Sequence, residues 1–157
     1  TLIKIEELFF NIPARKKFLK SDQTEFHHIL DLVEKYAVSN WDKSFKLIHN
    51  DKAILDIKTD TSLIERIKNI YGDKASFDVI EIKNNNEYLS IHGYIGTPKN
   101  SSYTSNQSLI FVNNRYVENK QIINSVKSAY GKLIENRSFP FFVLFLFRKE
   151  RRKTCVV

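Results

Sequence analysis

The chain is 157 residues long, carries a formal net charge of +7 and contains one cysteine. This length allows one buried core, or one domain with a piece of another, and excludes several large domains within these residues. The longest apolar run, residues 139–147, is too short to cross a bilayer and is interrupted by Pro140. A single cysteine excludes an internal disulfide framework. More than half of the charge excess falls in residues 148–157, so composition alone does not establish nucleic-acid binding.

The first twenty residues predict a strand followed by a short helix. Residues 2–10 alternate toward a strand that ends in Leu8-Phe9-Phe10, and residues 13–20 are expected to be helical. Asn11 is a suitable cap, and Pro13 fits the first turn, where its missing N–H costs nothing. Phe18 and Leu19 would then form the buried face of this helix.

The rest of the chain predicts a mixture of helices and short strands. Apolar residues at helical spacing predict helices over about 23–39, from Ser62 to Gly72, and from Asn119 to Leu133. Alternating or continuous apolar runs predict strands at 45–48, 53–57, 77–82, 88–95, 109–112 and 141–147. The polar run 99–107 predicts a mobile surface loop. This order indicates an α+β or mixed α/β fold with helices on one side of a sheet.

Several residues mark the expected boundaries of these elements. Asp22 and Glu25, like Ser62 and Glu65, have the spacing of a capping box, and Asn119 can cap the last helix. The run from 141 to 147 is apolar throughout, which is typical of a central strand covered on both sides. The sequence therefore indicates the helix starts independently of the hydrophobic pattern.

No catalytic or metal-binding residue can be nominated from the chemistry of the side chains. The histidines and Cys155 do not stand at ligand spacing, and neither a P-loop nor a glycine-rich dinucleotide turn is present. After the strand at 109–112, the string Asn113-Asn114-Arg115-Tyr116-Val117 predicts a tight turn in which Asn114 can adopt positive φ. Arg115 and Lys120 could contact phosphate, or they could simply tie down the turn and be solvated.

Two strings in the chain are too particular to be generic element boundaries. The stretch from Leu8 to Leu19, with Asn11, Pro13, Ala14 and Arg15, resembles the string Leu-Phe-aromatic-Asn-x-Pro-Ala-Arg-x-Lys-Phe of the MutL family of DNA mismatch repair proteins. The turn from Phe111 to Val117, with Asn113 at its start, resembles a second family string at the expected distance. The resemblance covers about residues 1–147.

The resemblance implies an α+β, ribosomal-protein-like transducer domain over residues 21–147. Residues 1–20 would be the C-terminal end of an ATPase domain of the GHKL superfamily, whose catalytic Glu and nucleotide-binding motifs lie upstream in the family. Thr1 resembles the threonine of the family's Gly-Thr motif near the nucleotide. The intact parent would therefore use ATP and magnesium, whereas this piece alone is expected to bind no cofactor and to hydrolyse no ATP.

The resemblance also implies partners. The parent is expected to form a homodimer or heterodimer through its ATPase domain, to bind DNA without sequence specificity, and to act with the mismatch-recognition protein MutS. The family's DNA-contacting basic residue is similar in position to Lys120, with Arg115 beside it. The implied location is the bacterial cytoplasm and nucleoid, or the nucleus in a eukaryote, with no membrane association.

The end of the chain departs from the family pattern, and alternatives stay open. After Phe147 the family continues into an Asp-Val-Asn-Val-His-Pro-x-Lys segment, whereas residues 148–157 are an atypical basic tail that suggests a frameshift or an abnormal end. A transducer domain of another GHKL machine, such as a type II topoisomerase, and a non-functional remnant are the alternative interpretations.

Overall fold

A computed structural model describes residues 1–60, 62–72 and 78–149 of the chain. The helices are α1 (Pro13–Lys16), α2 (Asp22–Ser39), α3 (Leu63–Tyr71) and α4 (Lys120–Tyr130). The strands are β1 (Phe45–His49), β2 (Lys52–Ile57), β3 (Val79–Asn85), β4 (Leu89–Gly96), β5 (Ser101–Ser102), β6 (Ser108–Val112), β7 (Arg115–Tyr116), β8 (Phe139–Pro140) and β9 (Phe142–Arg148).

The main sheet has five strands in the order β3-β4-β9-β6-β7. The last strand, β9, lies at its centre, antiparallel to β4 and parallel to β6. Its residues 142–145 are buried because both neighbours and both faces cover them. The prediction of a central, doubly covered strand at the end of the chain is thus confirmed.

The two faces of this sheet carry separate apolar cores. Val38 of α2 and Ile67 of α3 pack with Phe111, Val143 and Phe145 on one face. Ile123 of α4 packs with Ile110, Phe142 and Leu144 on the other face. The α+β class is confirmed, but the expectation that the helices lie on one side of the sheet is wrong. Helix α4 lies in the connection between the parallel strands β6 and β9, and it covers the face opposite α2 and α3.

Local signals at the helix starts were correct in two of four cases, and the start of α1 is described below with the first twenty residues. The Ser62 hydroxyl accepts a hydrogen bond from the Glu65 N–H, and the Asn119 side chain accepts one from the Ile122 N–H, as expected for N-caps. For α2 the predicted capping pair, Asp22 and Glu25, lies one residue after the observed one. The cap is Ser21, which accepts from the Thr24 N–H.

The first twenty residues differ most from their prediction. Residues 1–6 have no secondary structure, and residues 7–11 form turns instead of a strand. Helix α1 is one turn long, its N-cap is Ile12 without a side-chain hydrogen bond, and Asn11 does not cap it. Phe18 is 83% exposed instead of buried. No strand in the described ranges lies beside residues 2–10, so their backbone has no ladder to join.

The remaining predictions concern the hairpins and the polar run. Strands β1 and β2 form a separate two-stranded sheet whose turn residues, Asn50 and Asp51, both have positive φ, as a type I′ turn requires. The polar run 99–107 contains β5, which pairs with β8, and a 3-10 turn. The predicted strand start at Phe77 lies outside the described residues, as does the tail from residue 150. Among the described residues, no helix is long and apolar enough to span a membrane.

Candidate nucleic-acid interface

A tight turn at the edge of the main sheet presents Arg115. Asn113 and Asn114 have φ values of 50° and 63°, which reverse the chain between β6 and β7. The Asn113 N–H donates to the Leu146 carbonyl at 3.0 Å, and the Val117 N–H donates to the Ile110 carbonyl at 2.9 Å. These bonds fix both ends of the turn to the sheet. The Arg115 side chain is exposed on this rigid support.

Lys120 is the first residue of α4. Its helix begins at the Asn119 cap, has no acidic residue in its first turn, and is held to the sheet by the buried Ile123. Lys120 itself is exposed. A helix start carries unpaired N–H groups and a partial positive charge, so Lys120 adds to a field that already attracts anions. The structure thus places both predicted basic residues on ordered elements that follow one another in the chain.

A cleft of about 460 Å³ adjoins the Arg115 turn, between α2 and β7. Its lining residues are Leu32, Lys35, Tyr36, Ser39, Arg115 and Tyr116. The Lys35 ammonium lies 4.2 Å from the centre of the Tyr116 ring and 2.6 Å from a carboxylate oxygen of Asp31. Two cations and two aromatic rings therefore meet at one edge of the sheet.

Lys35 stays protonated in this cleft. Burial acts to lower the pKa of Lys35, but the hydrogen bond with Asp31 and the interactions with Tyr116 and Asp31 outweigh it and raise the pKa. Nearby, burial and the charge of Asp31 raise the pKa of Glu34, although the charge of Lys35 opposes them. The cleft therefore keeps a cation whose charge is partly balanced by Asp31.

Sequence reasoning missed Lys35 and Tyr36 as members of this surface. Both are on α2, far from Arg115 in the chain, and only the packing of α2 against the sheet brings them together. The one sequence signal was the spacing of Asp31 and Lys35, which is that of a helical ion pair. That spacing says nothing about the distant turn.

The other predicted site residues do not join this surface. Thr1 is exposed in a segment without secondary structure, and Asn11, Pro13, Ala14 and Arg15 are exposed in and beside α1. Within the described part of the chain, no hydrogen bond or ion pair connects them to Arg115 or Lys120. No group of three or more potential metal ligands occurs in the described ranges.

Comparison with known proteins identifies the family. The sequence profile of the family described as "DNA mismatch repair protein, C-terminal domain" matches residues 67–152, which is more than half of the chain. The chain belongs to the MutL family of DNA mismatch repair proteins. The MutL protein of Chlorobium chlorochromatii is 35% identical over 146 residues, and that of Clostridium acetobutylicum is 38% identical over the same length. These matches support MutL over a topoisomerase-like machine.

A solved structure shows the same fold. The Aquifex aeolicus MutL ATPase domain complexed with ADP matches 90% of this chain with a TM-score of 0.67 and 26% identity. The chain spans 22% and 24% of the two curated MutL proteins and 50% of the Aquifex aeolicus chain. The strings identified in the sequence therefore correctly predicted a MutL-type chain that corresponds to a part of its relatives.

Proposed function

We propose that this chain is part of a mismatch repair protein that couples ATP binding and hydrolysis to dimerisation and DNA binding, and that it supplies a DNA-contacting surface. The observation that carries the proposal is the placement of Arg115 and Lys120, both exposed, on a rigid turn and on a helix start. Phosphate contacts of this kind require only fixed positive charge, so the affinity is independent of base sequence.

The domain organisation forms part of this proposal. Residues 1–20 belong to the end of the ATPase domain, and residues 21–147 form the transducer. The support is the exposure of apolar side chains in the first segment, including Leu2 at 94%, Ile3 at 79% and Phe10 at 77%. Such side chains are normally buried, and the upstream residues of the parent are the surface that would bury them.

In the intact parent, ATP with magnesium binds in the upstream part, and Thr1 lies near it. The parent dimerises through that ATPase domain and acts with MutS. The isolated chain is expected to hydrolyse no ATP, because the catalytic Glu and the nucleotide-binding motifs of the family would lie upstream of Thr1. DNA contact is the one activity of the parent that this chain can be tested for by itself.

The test is DNA binding measured across a series of salt concentrations. The wild-type chain is expected to bind duplexes of different sequence equally, with a dissociation constant of roughly 10⁻⁴ to 10⁻⁶ M near physiological salt. Lys120→Glu should weaken binding. The plot of log K against the logarithm of the salt concentration should become less steep, with the magnitude of its slope smaller by about 1. Lys52→Glu, a matched charge reversal on the separate β1–β2 hairpin, should leave binding much closer to wild type. Equal effects of the two variants would reject the role of Lys120.

A further inference from the structure

Strand β3 is a long edge of the main sheet. It has seven residues and pairs with β4 on one side only, whereas the opposite edge strand, β7, has two residues. Five of its seven residues are exposed, and Ile80 is 56% exposed. No backbone hydrogen bond on its outer side occurs in the described ranges. A long unpaired edge is a template for another strand.

The backbone groups available on this edge follow from the ladder with β4. Asp78 bonds to Thr97 at one end of the hairpin and Asn86 bonds to Leu89 at the other, so the even-numbered residues of β3 face β4. The odd-numbered residues, Val79, Glu81, Lys83 and Asn85, therefore turn their N–H and C=O groups outward. An added antiparallel strand must pair its own outward groups with these four.

We propose that β3 pairs with the β3 strand of a second copy of this chain, antiparallel and with Ile82 on the two-fold axis. In this register Val79 pairs with the partner's Asn85, and Glu81 pairs with the partner's Lys83. All outward N–H and C=O groups of both β3 strands are then hydrogen-bonded. The two five-stranded sheets become one sheet of ten strands. Because the interface is symmetric, each contact away from the axis occurs twice.

Charge complementarity selects this register. Glu81 and Lys83 are exposed, and neither forms an ion pair within the described part of the chain. In the proposed pairing each carboxylate stands opposite an ammonium, which stabilises a strand pair. Shifting the two-fold axis by one residue would place Glu81 opposite the partner's Glu81, or Lys83 opposite the partner's Lys83. The neighbouring registers are therefore disfavoured by like charges.

Apolar contact on the other face supports the same register. Ile82 packs with the core that α4 covers, so Ile80 and Ile82 share that face of the sheet. The two copies of Ile82 would meet directly across the axis, in a pair without hydrogen bonds, where side chains approach most closely. The surface is small, since pairing of two seven-residue strands buries less than about 1,000 Å². The dimer is therefore weak and depends on concentration.

Cysteine cross-linking tests the geometry. In a Cys155→Ser background, Ile82→Cys should form an intermolecular disulfide on mild oxidation, because paired residues on the axis lie about 4.5 Å apart at Cα. Ile80→Cys is the matched control. Residue 80 is on the same face of the sheet and well exposed, but residue 80 of one copy would lie about 13 Å along the strand from residue 80 of the other copy. Equal cross-linking at 80 and 82, or none at 82, would overturn the proposal.

Charge reversal tests the register without a cysteine. In sedimentation equilibrium at low salt, Glu81→Lys and Lys83→Glu should each weaken association about fivefold or more, because like charges then face one another. The double variant restores opposite charges and should associate as the wild-type chain does. If the double variant stays as weak as the single variants, or if the wild-type chain remains monomeric at millimolar concentration, the proposal fails. Since β3 and β7 are opposite edges, DNA binding is tested independently of this contact.

Discussion

Among single residues, Arg66 is the least expected feature of the chain. Sequence periodicity predicted α3 with an apolar inner face, yet Arg66 on this helix is fully buried. Its Nη2 lies 2.7 to 2.9 Å from the carbonyl oxygens of Trp41, Lys43 and Lys58. Its Nε lies 2.5 Å from a carboxylate oxygen of Asp60. One side chain thus ties both loops that flank the β1–β2 hairpin to α3.

We expect Arg66→Leu to destabilise the chain by about 3 to 5 kcal/mol, because the buried Asp60 carboxylate loses its cation and three carbonyls lose their donor. Denaturant unfolding measures this change. Lys46→Ala removes an ion pair with Asp56 in which both side chains are more than half exposed, and it should cost at most about 1 kcal/mol. Similar costs for both variants would mean that the Arg66 network contributes little.

A second residue prediction concerns pH. Burial, followed by the charge of Asp31, raises the pKa of Glu34 above its ordinary value of 4.5 in the folded chain. The folded state therefore holds this proton more tightly than the unfolded state, and stability falls as pH rises from about 4.5 through the raised pKa.

We expect Glu34→Gln to stabilise the chain at pH 7 by less than about 1 kcal/mol, since the group is only half buried. At pH 4 the difference between variant and wild type should largely disappear, because Glu34 is then protonated in the folded state and mostly protonated in the unfolded state. Thermal unfolding at the two pH values measures this. A stabilisation of equal size at both pH values would show that burial and the Asp31 charge do not shift the pKa of Glu34.

Among the elements, the first twenty residues behave differently from the rest. Helix α1 buries no residue, and the backbone hydrogen bonds of residues 7–19 remain within the segment. Helix α2, in contrast, begins at the Ser21 cap and buries Ala37 and Val38. The segment therefore contributes no apolar burial to the core of the described chain.

We expect deletion of residues 1–18 to change the free energy of unfolding by less than about 0.5 kcal/mol, because no core contact is lost. Ile67→Ala, within the core, should cost about 2 to 5 kcal/mol and serves as the comparison. Binding of an apolar dye should fall in the deletion variant, since several exposed apolar side chains are removed. A large loss of stability would show that the segment packs on the core in solution.

In the molecule as a whole, the cations of the candidate interface are distributed over three elements, α2, β7 and α4. Arg115 begins β7 directly after the Asn113-Asn114 turn, and Lys120 begins α4. Lys35 of α2 lies beside the turn in the cleft, partly neutralised by Asp31. The surface is therefore not formed by one local charge cluster.

For the double variant Arg115→Glu with Lys120→Glu, we expect a loss of DNA affinity close to the sum of the losses of the single variants on a free-energy scale. The magnitude of the slope of log K against the logarithm of the salt concentration should be smaller by about 2. Fluorescence anisotropy with a labelled duplex measures both quantities. If the double variant binds DNA as tightly as the single variant with the lower affinity, only one of the two residues contacts DNA.

Features that depend on neighbouring residues could be predicted without any structure. The caps at Ser62 and Asn119, the positive φ of Asn114 and the hairpin turn at 50–51 follow from local hydrogen bonding and backbone sterics. The apolar character of residues 141–147 likewise required a covered strand. The two family strings, taken together, identified a MutL-type chain.

Features that depend on distant partners required the tertiary structure. The parallel pairing of β9 with β6, the position of α4 on the opposite face and the burial of Arg66 each join segments that are far apart in sequence. Residues 2–10 have the pattern of a strand but form none, because a strand needs a neighbour for its backbone hydrogen bonds. Local pattern sets what an element can be, and its partners decide whether and where it forms.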